Sequence, residues 1–199
     1  MKTYFYAATL LFLGLAGFAA QAQTIGAGVV LAEINENRFS NAAGAGVWLS
    51  IPVSDGGWHA GLAGSFLQSN YHYHKHWRHH GHWHNHRYKG RYKNRMSTAT
   101  LFVTKEVLQK NEIGLLLGPA LSYSSIGVRR YSVFADRVFA GAWVNANYKL
   151  TDEFKIELVL HPRFSPGGNG RSLDAYDPYS GEALFVFEAW LGASYTFGK

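Results

Sequence analysis

The sequence predicts an all-β fold, an eight-stranded antiparallel up-and-down transmembrane β-barrel preceded by a signal peptide. Three observations lead there. Apolar and mixed positions alternate with period two through most of the chain, 22 glycines and a 16% aromatic share accompany that rhythm, and tight connections alternate with long ones. Strands with one apolar and one mixed face suit a wall that has lipid on one side only.

The first segment lies outside the barrel. Lys2, an apolar run from Tyr4 to Ala20 and the small-x-small end Ala20-Gln21-Ala22 read as a signal peptide over residues 1–22, cut before Gln23. The run is short for a membrane span of ~20 residues. The chain has no cysteine, so neither a lipidated N-terminal Cys nor a disulfide framework is available.

The barrel then occupies 23–199. Three glycine-rich strands are expected over Thr24 to Glu33, Ala43 to Val53 and Trp58 to Gln68. Ala99 to Val107 points Thr100, Thr104 and Glu106 inward, Ile113 to Tyr123 points Gly114, Gly118 and Ser122 inward, and Val138 to Leu150 does the same with Asn145, Asn147 and Lys149. From Phe154 to Phe164 the apolar side holds Phe154, Ile156, Leu158, Leu160 and Phe164, and the other side Lys155, Glu157, His161 and Arg163. The last strand, Ala183 to Phe197, turns Phe185, Phe187, Leu191 and Tyr195 one way and Glu188 the other. Ser54 to Gly57, Gln109 to Glu112 and Thr151 to Glu153 are short turns, whereas Ile34 to Asn41, Ser69 to Met96, Ser124 to Phe134 and Ser165 to Gly181 are long. Short turns belong on the periplasmic side of such a barrel and long loops outside.

Eight strands enclose an interior only wide enough for side chains, which disfavours a pore. Trp48, Phe102, Phe139, Trp143 and Trp190 are expected to fill it. Glu106, Lys149, Lys155, Glu157, His161, Arg163 and Glu188 are expected to pair there as a polar plug, since buried charges persist only in pairs. His161 beside Glu188 raises acid-base chemistry, but the nearest nucleophile along the chain is Ser165, four residues on. No catalytic residue is assigned, and the chain is not read as an enzyme.

With this pattern and its aromatic end Tyr195-Thr196-Phe197, the chain resembles the small eight-stranded outer-membrane β-barrel proteins of the OmpX and OmpA-transmembrane-domain kind, common in Bacteroidetes. The resemblance covers Gln23 to Lys199. It implies a monomer in the outer membrane of a Gram-negative bacterium, among outer-membrane lipids and lipopolysaccharide. Some barrels of this size modify lipid A, the least favoured reading for this chain.

The segment from Tyr71 to Arg95 stands apart. It carries His72, His74, His76, His79, His80, His82, His84 and His86, seven Lys or Arg, and no carboxylate. Of the formal net charge of +6, removing Lys2 leaves +5, and since this segment alone holds +7 the remainder sums to −2. Positive charge confined to one loop of an exported chain excludes nucleic acid as the expected partner. No resident cofactor is required; the histidines are candidate ligands for Zn, Ni or Cu ions, because neutral imidazole suits all three. If the segment folds back around Arg78 to His80, His76 faces His82, His74 faces His84 and His72 faces His86. Strand parity opposes this register: outward positions are even before the loop and odd after it, so such pairs require a bulge. Fixed positive charges also repel a divalent cation.

The second half of the segment repeats Arg87-Tyr88-Lys89-Gly90 as Arg91-Tyr92-Lys93-Asn94 and ends at Arg95. Parity sets Arg87, Lys89, Arg91, Lys93 and Arg95 in one outward row, a candidate anion site for lipopolysaccharide phosphates or other surface polyanions. A solvated low-complexity loop without a ligand is the remaining alternative.

Overall fold

The structure, a computed structural model, describes residues 23–34, 41–73, 77–79, 82–84, 90–128, 133–166 and 183–197. Its strands are β1 (Gln23–Ile34), β2 (Ala42–Ser54), β3 (Trp58–Tyr73), β4 (Trp77–His79), β5 (His82–His84), β6 (Gly90–Lys110), β7 (Ile113–Val128), β8 (Val133–Lys149), β9 (Phe154–Ser165) and β10 (Leu184–Phe197). Eight of them close into a barrel in the order β1-β10-β9-β8-β7-β6-β3-β2, while β4 and β5 form a separate two-stranded ribbon. Every neighbouring barrel pair is antiparallel. Closure leaves no edge whose backbone groups would lack partners in lipid.

The alternation is realised as an inverted barrel. Val29, Leu31, Val47, Leu121, Leu158 and Leu191 are exposed on the outer face. Trp48, Phe139, Trp143 and Trp190 are buried inside, among Thr100, Asn145, Glu157, Arg163 and Glu188. Trp58, Tyr148, Phe154 and Tyr195 ring the wall at one end and Phe66, Tyr123, Phe164 and Phe185 at the other, all exposed. Such paired aromatic girdles mark the two interfaces of a bilayer. Lys105 Nζ sits 5.6 Å over the Trp58 ring, a cation held at the interface by the ring face.

Room for the large inner side chains comes from glycines. A Cβ at Gly46 would overlap the Trp190 ring, and one at Gly61 would overlap the ring of Phe102. The tight turns use local chemistry: Gly57 (φ 73°) and Asn111 (φ 53°) take the left-handed conformation. In the third turn Thr151 Oγ1 accepts the N–H of Phe154 at 3.0 Å.

Prolines interrupt two ladders without shifting their register. Between Phe102↔Ala120 and Lys105↔Leu117 no pair forms beside Pro119, and between Gly141↔Arg163 and Val144↔Leu160 none forms beside Pro162. Proline has no N–H to donate. A bulge at Glu106/Leu108 further bends the lower end of β6.

The barrel is taller than its apolar pattern. β3 runs to Tyr73, β6 starts at Gly90, β7 reaches Val128 and β8 starts at Val133, so much of the sequence expected as external loop between Ser69 and Met96, and between Ser124 and Phe134, is strand. Above the bilayer the outer face no longer has to be apolar. The period-two signal therefore disappears while the ladder continues.

Candidate functional site

Two places gather chemistry, the middle of the lumen and the ribbon at its outer end. In the lumen, β9 and β10 pair Glu188 with His161 and Val186 with Arg163, so Arg163 and Glu188 are diagonal neighbours on the inner face. Arg163 Nη2 meets Glu188 Oε1 at 2.5 Å, both side chains fully buried. Arg163 also donates to Ser124 Oγ at 3.1 Å and to Thr98 Oγ1 at 3.2 Å, and its guanidinium lies 5.0 Å from the centre of the Phe139 ring. The second carboxylate oxygen accepts Trp190 Nε1–H at 3.0 Å. These contacts satisfy most of the pair's donors and acceptors, the condition under which a buried pair is tolerated, and leave Arg163 Nε without a partner. Thr98 with Ser124 and Thr100 with Ser122, each pair 2.9 Å apart, form hydroxyl rungs between β6 and β7, the first of which meets the arginine.

His161 completes an arrangement that sequence reasoning missed. Its Nε2 lies 3.3 Å from Ser122 Oγ, and its Nδ1 lies 3.6 Å from Glu188 Oε2. The serine beside the histidine is Ser122, not Ser165, whose hydroxyl instead bonds the carbonyl of Pro166 at 3.5 Å. β7 and β9 are two strands apart, and no sequence signal says which inward residues meet across a lumen. Serine, imidazole and carboxylate are the parts of a nucleophilic triad. Here Ser122 is 2% exposed and His161 0%, with the Trp143 ring 5.3 Å from the imidazole and Glu188 already engaged by Arg163 and Trp190. All three side chains are shut into the packed interior of the wall, and the carboxylate is committed to other partners.

The expected plug is divided. Glu157 is held by Asn145 Nδ2 at 2.5 Å and by Ser194, with no cation bonded to it among the described residues. Lys149 pairs outside the lumen with Asp152 at 2.6 Å, three residues along at the turn. Glu106 lies at the periplasmic rim, its N–H bonded to the Gly57 carbonyl at 2.8 Å. Lys155 lines a small cavity of ≈ 40 Å³ with Thr24, His59 and Glu157. Trp48 Nε1 and Asn145 Oδ1, both buried without a partner, border the same cavity, which has room for water. Above it, Phe102 stacks on Trp143 at 4.4 Å, Trp143 meets Trp190 edge-on at 5.4 Å, and Trp190 meets Trp48 at 6.1 Å. These rings are buried side by side in the lumen.

At the outer end only the backbone is described for the strand residues 70–73, 77–79, 82–84 and 90–93. His74, His76, His80, His86, Arg87 and Lys89 lie outside the described residues. The ribbon pairs Trp77↔His84, Arg78↔Trp83 and His79↔His82. The expected pairs are thus corrected: His82 faces His79 rather than His76, His84 faces Trp77 rather than His74, and His72 faces Arg91 rather than His86. The reason is parity, because the β3–β6 ladder opposes even to odd positions and the ribbon keeps that rule. Positions 79, 82 and 84 consequently share one face. Arg91, Lys93 and Arg95 occupy alternate positions on β6, of which Arg95 is exposed on the outer wall. Among residues whose side chains are described, no three His, Asp or Glu converge as metal ligands.

No family profile and no curated protein matches the sequence. Solved structures do. The outer membrane protein OprG from Pseudomonas aeruginosa is 10% identical, with a TM-score of 0.58, over 90% of this chain and 97% of that one. Neisserial surface protein A is 11% identical, with a TM-score of 0.54, over 89% and 99%. The chain has the fold of the small outer-membrane β-barrels. An outer-membrane barrel explains the inverted polarity: an apolar outer band with a charged, aromatic interior is stable only with lipid around it. The outer membrane of a Gram-negative bacterium is that setting. In this outer-membrane barrel the interior holds the wall together, which leaves the outer end as the candidate functional surface.

Proposed function

We propose that this outer-membrane barrel captures divalent transition-metal ions, Zn²⁺, Ni²⁺ or Cu²⁺, at the cell surface through its histidine-rich ribbon. The supporting observation is the β4–β5 register, in which His79 opposes His82 and His84 follows on the same face. Cβ atoms of directly opposed strand residues lie ~5 Å apart, close enough for two imidazoles to share one ion. The neighbouring histidines offer further donors. Seven fixed positive charges and no carboxylate to orient an imidazole keep the affinity modest.

A second reading, attachment to a surface polyanion, draws on a different observation. β6 continues outward to Gly90, so that Arg91, Lys93 and Arg95 form one row on an extended strand. The two readings respond oppositely to pH and salt. Imidazole has a reference pKa of about 6.5, so metal affinity falls between pH 7.5 and 5.5 and is nearly indifferent to NaCl. Polyanion affinity rises on the same acidification and falls with salt. Titration calorimetry with Zn²⁺ and with a sulfated polysaccharide across that range tests both. Zn²⁺ binding that His79→Gln/His82→Gln/His84→Gln leaves unchanged removes the metal reading.

A further inference from the structure

The outer wall is not uniformly convex. Where β3, β6 and β7 meet, a groove of ≈ 470 Å³ is lined by Ala60, Leu62, Leu101, Val103, Pro119 and Leu121 on the lipid-facing side. Its floor is thin because Gly61 and Ala120 lie beneath it, with the inward ring of Phe102 behind them. Here the β6–β7 ladder is also broken beside Pro119. The groove lies on the bilayer face of the wall, so its occupant is a hydrocarbon chain.

The same strand says which lipid. Alternate residues of β6 share the outer face, and above Leu101 they run Ala99, Ser97, Arg95, with Lys93 and Arg91 at the next outward register positions. Exposed Gln68 on β3 stands directly across from Arg95, a second polar group at the same height. Among the described residues the outer ends of β1 and β8 carry exposed acids, Glu33 and Asp136, the latter with Arg137 beside it. No carboxylate occurs between Asp55 and Glu106, so an anionic headgroup meets only positive or neutral groups along the outer half of the β3–β6 wall. The depth fits as well. Arg95 precedes Leu101 by a stretch that spans about 20 Å along a strand, which a tilt of ~40° reduces to about 15 Å of membrane depth. That is one leaflet of a hydrocarbon core ~30 Å thick.

We infer that the β3–β6–β7 wall is a binding site for one phosphorylated glycolipid of the outer leaflet, its phosphate at Arg95 and Gln68 and one acyl chain in the groove. The site is independent of the metal reading. It takes Arg95 from the polyanion reading and gives it a partner within the protein's own membrane.

Native mass spectrometry of the full chain with bisphosphorylated lipid A tests this, with dephosphorylated lipid A and phosphatidylglycerol as comparisons. One tightly retained lipid A is expected. Arg95→Gln should lower the retained fraction about tenfold, the weight of one charge-assisted contact. Ala60→Phe, which fills the groove, should lower it comparably, whereas Ala27→Phe on the exposed face of β1 should leave it unchanged. The faster gel migration of the unheated barrel establishes that each variant is folded. Equal retention by wild type, Arg95→Gln and Ala60→Phe overturns the site. Equal retention of phosphatidylglycerol or of dephosphorylated lipid A overturns the assignment of its occupant.

Discussion

Arg163 and Glu188 form a 2.5 Å ion pair inside the barrel, with both side chains shut off from solvent. The pair ties β9 to β10, and through Ser124 and Thr98 it reaches across the lumen to β7 and β6. Breaking one half strands the other. Glu188→Gln or Arg163→Met should each cost ~3–5 kcal/mol, whereas an apolar replacement of both should cost clearly less than the sum. Urea unfolding in lipid vesicles, read by tryptophan fluorescence, measures all three variants.

The aromatic stack predicts a closed lumen. Phe102, Trp143, Trp190 and Trp48 succeed one another at 4.4, 5.4 and 6.1 Å in an interior that eight strands make only wide enough for side chains. Purified protein in planar bilayers should give no sizeable steady conductance. A porin-like step from the folded monomer would contradict the packing.

Ser122, His161 and Glu188 have the residue types of a hydrolase triad, but all three side chains are buried and Glu188 is already engaged by Arg163 and Trp190. A fluorophosphonate probe should leave Ser122 unlabelled in the folded barrel. Stoichiometric labelling that Ser122→Ala abolishes would make the trio catalytic.

Topology is checked on whole cells. Arg87 and Lys89 precede β6, which begins at the outer end of the barrel, so added trypsin should cut after them while the paired wall, β6 from Gly90 onward included, stays protected. Cutting only after the outer membrane is opened would reverse the orientation.

The fold was legible because lipid imposes one rule on every strand: Leu158 and Leu191 must be outside, and Glu157 and Glu188 inside. The rule stops at the membrane surface, which is why the extensions of β3 to Tyr73 and of β6 to Gly90 were expected as loop. Contacts across the lumen were illegible for another reason. Parity says that Ser122 and His161 both point inward, but their meeting depends on barrel shear and on side-chain size, which no local pattern records. The histidine register was half legible. Parity opposed the expected pairs of His82 with His76 and His84 with His74 without excluding them, and only the ladder itself identifies His79 and Trp77 as the partners.

Metal capture by the ribbon is tested most directly by the metal content of the protein taken from its native outer membrane at pH 7.5 without a nickel column. Inductively coupled plasma mass spectrometry should find zinc, nickel or copper at about one ion per chain, lost below pH 5.5 as the imidazoles protonate and absent from His79→Gln/His82→Gln/His84→Gln. Metal-free wild-type protein that also fails to bind any of the three ions when they are added back would contradict the proposal.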